Sequence, residues 1–126
     1  MNNLETTASA IVNAAISVHR ELGPGLLESA YQQCLVYELR KCGNNVKTEI
    51  LLPIKYDGLE IEAGYRIDMI INEKVIVENK AVKEIAPIHK AQLLTYLKLG
   101  NFKIGFLLNW NVNLMRDGIK RMVHRL

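Results

Sequence analysis

The sequence predicts an α/β fold in which helices flank a mixed central β-sheet. Apolar residues recur at helical spacing in two segments near the start of the chain, and a third helix is predicted after Pro87. Three apolar segments of strand character lie between the second and third helices, and further ones follow the third. The predicted order is therefore helix, helix, three strands, helix and strand, with a short terminal strand.

The first helix is predicted from about Glu5 to Leu22, where Gly23-Pro24-Gly25 ends it. The second is predicted from about Leu27 to Cys42 and stops at Gly43. Each carries one apolar stripe. The first stripe contains Ile11, Ala14, Ala15, Val18 and Leu22, and the second contains Leu27, Tyr31, Cys34, Leu35 and Leu39.

The strands are predicted from apolar, β-branched segments separated by turn residues. Asp57-Gly58 is predicted to be the turn between the first two strands, and the third helix runs from Pro87 to about Leu99. The predicted strands are residues 46–56, 61–71, 74–81, 102–109 and 119–124.

Composition favours one small domain spanning residues 1–126. The 16 basic and 13 acidic residues give a net charge of only +3, which is too small to indicate nucleic-acid binding by itself. Cys34 and Cys42 lie eight residues apart in one predicted helix, so they cannot bridge each other there. We found no apolar run of about 18 residues. We therefore expect a cytoplasmic protein with no membrane partner.

Three ionisable residues interrupt two neighbouring apolar segments where a core would be expected. Asp68 lies within one segment, and Glu78 and Lys80 end the next. A buried ionised group costs several kcal/mol unless it is paired or binds a metal. The pattern predicts a metal site with a lysine beside it, and a structural salt bridge at the strand ends is the alternative.

The length of the turn between these strands decides whether the acids meet. With a three-residue turn at residues 72–74, Asp68 lies opposite Glu78, with Cβ atoms roughly 4.5–5.5 Å apart. Arg66 and Lys80 then share their face, which makes Arg66 a candidate phosphate clamp. A two-residue turn would send Glu78 to the opposite face. The metal site therefore requires an odd-numbered turn or a bulge.

Motifs spread along the chain resemble those of one nuclease superfamily. Asp68 followed by Glu78-Asn79-Lys80 resembles the core of the PD-(D/E)XK nucleases. Two further motifs agree in order along the chain: Gly25, Glu28 and Tyr31 resemble the GxxExxY family, and Gln92 with Tyr96 resembles the QxxxY motif of RecB-type nucleases. Asn79 departs from the family, which usually has an apolar residue there. By alternation its side chain should face away from the site.

This resemblance implies a restriction-endonuclease-like core and a nuclease that uses Mg²⁺ or Mn²⁺. Its expected ligands are Asp68, Glu78 and the backbone carbonyl of Asn79, with Glu28 binding directly or through water. Lys80 would hold or deprotonate the attacking water. The remaining expected site residues are Gln92 and Tyr96 for orientation, and Arg66, His89 and Tyr31 for substrate contact.

Further alternatives stay open at this stage. The chain could be a nucleic-acid-binding or partner-binding module that keeps a metal site with little cleavage, and His89 could simply cap a helix. The resemblance to RecB-type nucleases favours DNA over RNA as the substrate. A monomer and a homodimer both suit the sequence.

Overall fold

The polypeptide forms three α-helices and seven β-strands within residues 3–126, which the computed structural model of the protein describes. A 3₁₀ turn at Met115–Gly118 precedes the last strand. The elements in chain order are α1 (Leu4–Leu22), α2 (Glu28–Lys41), β1 (Val46–Leu51), β2 (Ile54–Tyr56), β3 (Leu59–Ile61), β4 (Arg66–Ile71), β5 (Val75–Lys80), α3 (Pro87–Gly100), β6 (Ile104–Asn109) and β7 (Ile119–Val123).

The central sheet has five strands in the order β1-β4-β5-β6-β7. Strands β5 and β6 are parallel, with α3 as their crossover, and the other neighbouring pairs are antiparallel. Strands β2 and β3 form a separate two-stranded arm. The predicted mixed sheet flanked by helices is confirmed.

Alternating residues of the central strands supply the cores on the two faces of the sheet. Met69 and Val77 pack with α1 and α2 in one apolar cluster. Ile70 and Ile76 pack in a second cluster with Leu93 and other residues of α3. In the paired part of β4 and β5, odd-numbered residues therefore pack against α1 and α2, and even-numbered residues face α3.

The helices match the prediction closely, whereas the first two predicted strands are each broken in two. Pro53, which has no N–H to donate, lies between β1 and β2. The Asp57-Gly58 turn is confirmed, with positive φ at both residues. Leu27, predicted on a buried stripe, is instead 78% exposed just before α2 begins.

The β4–β5 turn is the three-residue turn that the metal hypothesis requires. Ile71 pairs with Val75, and the ladder continues in that register to Met69 and Val77. The turn is anchored at Asn72, whose side chain accepts a hydrogen bond from the Asn45 N–H and donates to the hydroxyl of Thr7. The predicted register is confirmed as far as Met69 and Val77, beyond which the strands are not paired.

Residues 3–126 contain neither a membrane-spanning helix nor a disulfide bond. No helix there is long and apolar enough to cross a membrane. Cys34 and Cys42 are both free thiols, as their spacing predicted.

Asn79 is buried on the α1–α2 face, as alternation predicted. Its carboxamide accepts a hydrogen bond from the indole N–H of Trp110 at 2.9 Å and donates one to Gln32 at 3.1 Å. Trp110 is itself fully buried and stacks on Tyr31, with ring centroids 4.8 Å apart. This polar residue therefore has its partners within a mostly apolar core.

We expect Asn79→Leu to destabilise the protein by about 1–3 kcal/mol, because it leaves the buried Trp110 indole N–H without an acceptor. Combining it with Trp110→Phe, which removes that N–H, should cost less than the sum of the two single changes. Urea unfolding of the two single variants and the double variant measures this coupling. The exposed Gln33→Leu is the control, and strictly additive costs would contradict the proposed contact.

Candidate active site

Two carboxylates meet where strands β4 and β5 separate. The ladder between these strands ends at Met69 and Val77, and Asp68 and Glu78 come next. The Glu78 carboxylate accepts the backbone N–H of Asp68 at 2.7 Å, and the Asp68 carboxylate accepts the backbone N–H of Asn79 at 2.8 Å. Side chains thus replace the ladder hydrogen bonds, and the main chain fixes where both acids lie.

Burial and mutual repulsion make these acids costly to ionise. Burial, followed by the charge of Asp68, raises the pKa of Glu78 to about 8. Burial also raises the pKa of Asp68, although the Asn79 N–H and the charge of Lys80 oppose the shift. Two neighbouring acids in this state form a site at which a bound cation would be strongly stabilising.

Lys80 lies beside the acids but is not locked to them. It is half-buried at the end of β5 and shares the face of Glu78 by alternation. Within residues 3–126, the ion pairs shorter than 4.0 Å are Lys41–Glu38, Lys47–Glu73 and Arg121–Glu5. The alternative interpretation, in which Lys80 forms a structural salt bridge with these acids, is therefore wrong.

Glu28 approaches from the first turn of α2. Its carboxylate accepts the backbone N–H of Ala81, next to Lys80, at 3.2 Å. Its charge contributes to the raised pKa of Asp68. The helix and the two strands therefore bring three carboxylates to one end of the sheet.

The donor set at this end fits a hard cation. The N–H of Asn79 points at Asp68, and because the N–H and C=O of a strand residue point the same way, its carbonyl faces the gap between β4 and β5. Carboxylate and carbonyl oxygens are the ligands that Mg²⁺ takes. Among residues 3–126, no three His, Cys, Asp or Glu side chains already stand in ligating positions.

Helix α3 covers the same face of the sheet. Burial, followed by the charges of Glu78 and Asp68, raises the pKa of Tyr96, so its hydroxyl is a hydrogen-bond donor at neutral pH. Gln92 lies one turn earlier and is half-buried. His89 accepts the Ala86 N–H at its Nδ1, which makes it a cap at the start of the helix and leaves Nε2 as the protonated nitrogen of the neutral ring.

The expected substrate contact by Tyr31 is wrong. Tyr31 is fully buried, and its hydroxyl donates to the carbonyl of Gly23 and accepts the N–H of Leu26. It therefore holds the loop that leads into Glu28. Arg66 is exposed at the start of β4, which lies at the same edge of the sheet as the end of β5.

Two residues near the site were missed in the sequence. Glu49 falls opposite Asp68 in the register of β1 and β4, at the one position in that run which does not pair, and its charge raises the pKa of both acids. Its φ of 51° departs from extended backbone at this unpaired position of β1. Tyr65 lies edge-on to Tyr96, with ring centroids 6.4 Å apart. Knowledge of how β1 pairs with β4 would have identified Glu49 as a residue near the site.

Comparison with protein families decides the assignment. A family model described as the PD-(D/E)XK nuclease superfamily matches residues 5–122. The chain belongs to this superfamily. Its fold is restriction-endonuclease-like, and the superfamily consists generally of nucleases, so a nucleic-acid substrate is indicated. No curated protein and no solved structure matched the chain.

The raised pKa of Glu78 predicts a pH-dependent stability in chelator. Because this acid titrates near 8 in the folded protein and near 4.5 when unfolded, stability is fully present below about pH 4.5 and falls as pH rises through 8. Glu78→Gln keeps an acceptor for the Asp68 N–H and removes the charge. We expect the variant to gain on the order of a few kcal/mol at pH 8, and little at pH 5.

Thermal unfolding in EDTA from pH 5 to 9 measures this difference, with the exposed Glu62→Gln as the matched control. Mg²⁺ at pH 8 should raise the melting temperature of the wild type and not that of Glu78→Gln. Parallel pH profiles for the wild type and Glu78→Gln would show that Glu78 ionises normally.

Proposed function

We propose that this protein is a divalent-metal-dependent nuclease that hydrolyses phosphodiester bonds, with DNA as its preferred substrate. The observation that carries the proposal is the pair Asp68 and Glu78, whose pKa values are raised above all by burial. Among residues 3–126 neither acid has a cation partner within 4.0 Å, and Lys80 beside them forms no ion pair. A structural pair of acids would be expected to have such a partner. Resemblance of Gln92 and Tyr96 to the RecB-type motif supports DNA.

Phosphodiester hydrolysis needs an activated water, stabilisation of negative charge on the phosphorus centre, and a neutralised leaving oxygen. When bound, Mg²⁺ or Mn²⁺ would lower the pKa of a water and neutralise phosphate charge. Asp68, Glu78 and the Asn79 carbonyl would hold the ion, and Glu28 would add a further carboxylate, directly or through water.

The other residues act on the water and the phosphate. Lys80 donates hydrogen bonds, so it can orient the attacking water and stabilise a non-bridging oxygen. The Tyr96 hydroxyl, kept protonated by its raised pKa, can donate to the water or to the phosphate. Gln92 supports that orientation from the preceding turn. Arg66, exposed at the edge of the site, suits bidentate binding of a neighbouring phosphate.

We expect Asp68→Asn and Lys80→Ala each to lower cleavage at least about a hundredfold. Asp68→Asn keeps an oxygen for the Asn79 N–H and so tests charge rather than folding. Lys74→Ala, an exposed lysine in the turn at the far end of β5, is the control for Lys80→Ala and should cut normally. Lys80→Ala should bind nucleic acid within about twofold of wild type, because it removes a group that acts on the reaction.

The assay uses labelled single-stranded, duplex, flapped and four-way-junction DNA, together with RNA, in Mg²⁺, Mn²⁺ or EDTA. Metal-dependent cutting by wild type that both site variants lose supports the proposal and identifies the substrate. Cutting that survives Asp68→Asn would overturn it. Nucleic-acid and metal binding without cleavage of any substrate would instead favour the metal-assisted binding module.

A further inference from the structure

A recessed cleft with three lysines lies next to the candidate active site. It has a volume of about 330 Å³, and Lys83, Lys90 and Lys120 line it together with Glu84 and Asp117. These lysines come from three separate elements: the loop after β5, the first turn of α3, and β7. The pairing of β7 with β6 brings Lys120 to the other two.

The wall of the cleft is held by backbone contacts. The carboxamide of Asn109 accepts the N–H of Val82 at 3.1 Å and donates to the carbonyl of Val82 at 2.9 Å. This pairs the loop that bears Lys83 with the end of β6. On the other side, a Cβ added to Gly118 would lie 2.1 Å from the Asn109 carbonyl oxygen, so the two backbones are in close approach. The positions of the lysines are therefore set by packed main chain.

The lysines keep their charges available. In the part of the chain that the structure describes, none of the three has a carboxylate oxygen within 4.0 Å, since the ion pairs there involve Lys41, Lys47 and Arg121. The acids of the cleft, Glu84 and Asp117, leave it with an excess of one positive charge. Unpaired lysines in a concave surface concentrate a positive potential that attracts anions.

The cleft lies along the same edge of the sheet as the two acids. Lys80 aligns with Asn109 across β5 and β6, and Leu108 aligns with Ile119, the first residue of β7. Two strand spacings, about 10 Å, therefore separate β5 from the strand of Lys120. The cleft therefore lies within a few nucleotides of the acids along a nucleic-acid strand.

We propose that this cleft binds backbone phosphates of the nucleic acid, within a few nucleotides to one side of the bond that is cut. The inference rests on the proposed nuclease function and adds to it the path that the substrate strand takes across the protein. Arg66, on β4, lies on the other side of β5. The substrate strand would thus run along the sheet edge from Arg66, past Lys80, to the lysine cleft.

The test compares the triple variant Lys83→Gln, Lys90→Gln, Lys120→Gln with a triple variant of equal charge, Lys74→Gln, Lys98→Gln, Lys103→Gln. The control lysines are exposed and lie outside the cleft. Binding is measured by fluorescence anisotropy in EDTA, so that no cutting occurs, on labelled single-stranded and duplex DNA of about 20 nucleotides, which exceeds the roughly 4–16 nucleotides that a small domain covers.

We expect the cleft variant to bind at least about tenfold more weakly than wild type at about 0.1 M salt. Its plot of log affinity against log salt should be shallower by about 2, since each phosphate contact contributes about 0.7–0.9 to the slope. The control triple should stay within about twofold with an unchanged slope. Equal losses in the two triples would show only general charge attraction and would overturn the proposal.

Cleavage by the same proteins separates failure of the cleft from failure of the nuclease. If wild type cuts DNA with metal and the cleft triple binds and cuts as the control does, the cleft proposal is wrong and the nuclease stands. If wild type neither binds nor cuts any nucleic acid, both are wrong.

Discussion

The separation of β4 from β5 beyond Met69 and Val77 is the constraint on which the rest of the site depends. In a continuous ladder, main-chain hydrogen bonds between the two strands would close this gap. Instead, Asp68 and Glu78 each accept a backbone N–H from the opposite strand, so two acids that burial makes costly to ionise are held side by side inside the protein. The charge of Lys80 offsets part of this cost, but within residues 3–126 Lys80 forms no ion pair shorter than 4.0 Å with either acid. The binding energy of a metal ion would therefore be gained at a site whose geometry the backbone has already set.

Strand β5 connects this site to the supporting core by simple alternation. Glu78 and Lys80 face α3, while Asn79, between them, faces α1 and α2 and accepts the Trp110 indole N–H. Trp110 in turn stacks on Tyr31, which fastens the loop before Glu28. Asn79 is thus part of the core that supports both segments that carry the acids. A substitution that disrupts this core would be expected to impair the site by shifting strand β5, and not by removing a ligand.

The parity of side chains along strands predicted the convergence of Asp68 and Glu78 correctly, because the apolar pattern and the turn length together determine a local hairpin. Features that depend on distant pairing could not be predicted in this way. Glu49 joins the site only through the β1–β4 register, and Lys120 reaches the cleft only because β7 lies beside β6. The error at Tyr31 has a different cause, since a motif shows that a tyrosine is used but not whether its hydroxyl faces substrate or backbone. Pro53 is consistent with a break after β1, but the apolar residues on both sides of it favoured the prediction of one continuous strand.

The turn at residues 72–74 lies at the far end of the hairpin from the acids, and Asn72 ties it to Asn45 and Thr7. Surface turns usually tolerate changes in length. Here the loss or gain of one residue would shift the pairing by one step and rotate Glu78 into the opposite core, with every site residue still present in the sequence. Turn length would thus determine whether the proposed site can form. A homologue with all of its motifs intact but an even-numbered turn would be a candidate for a protein that has kept the fold and lost the chemistry.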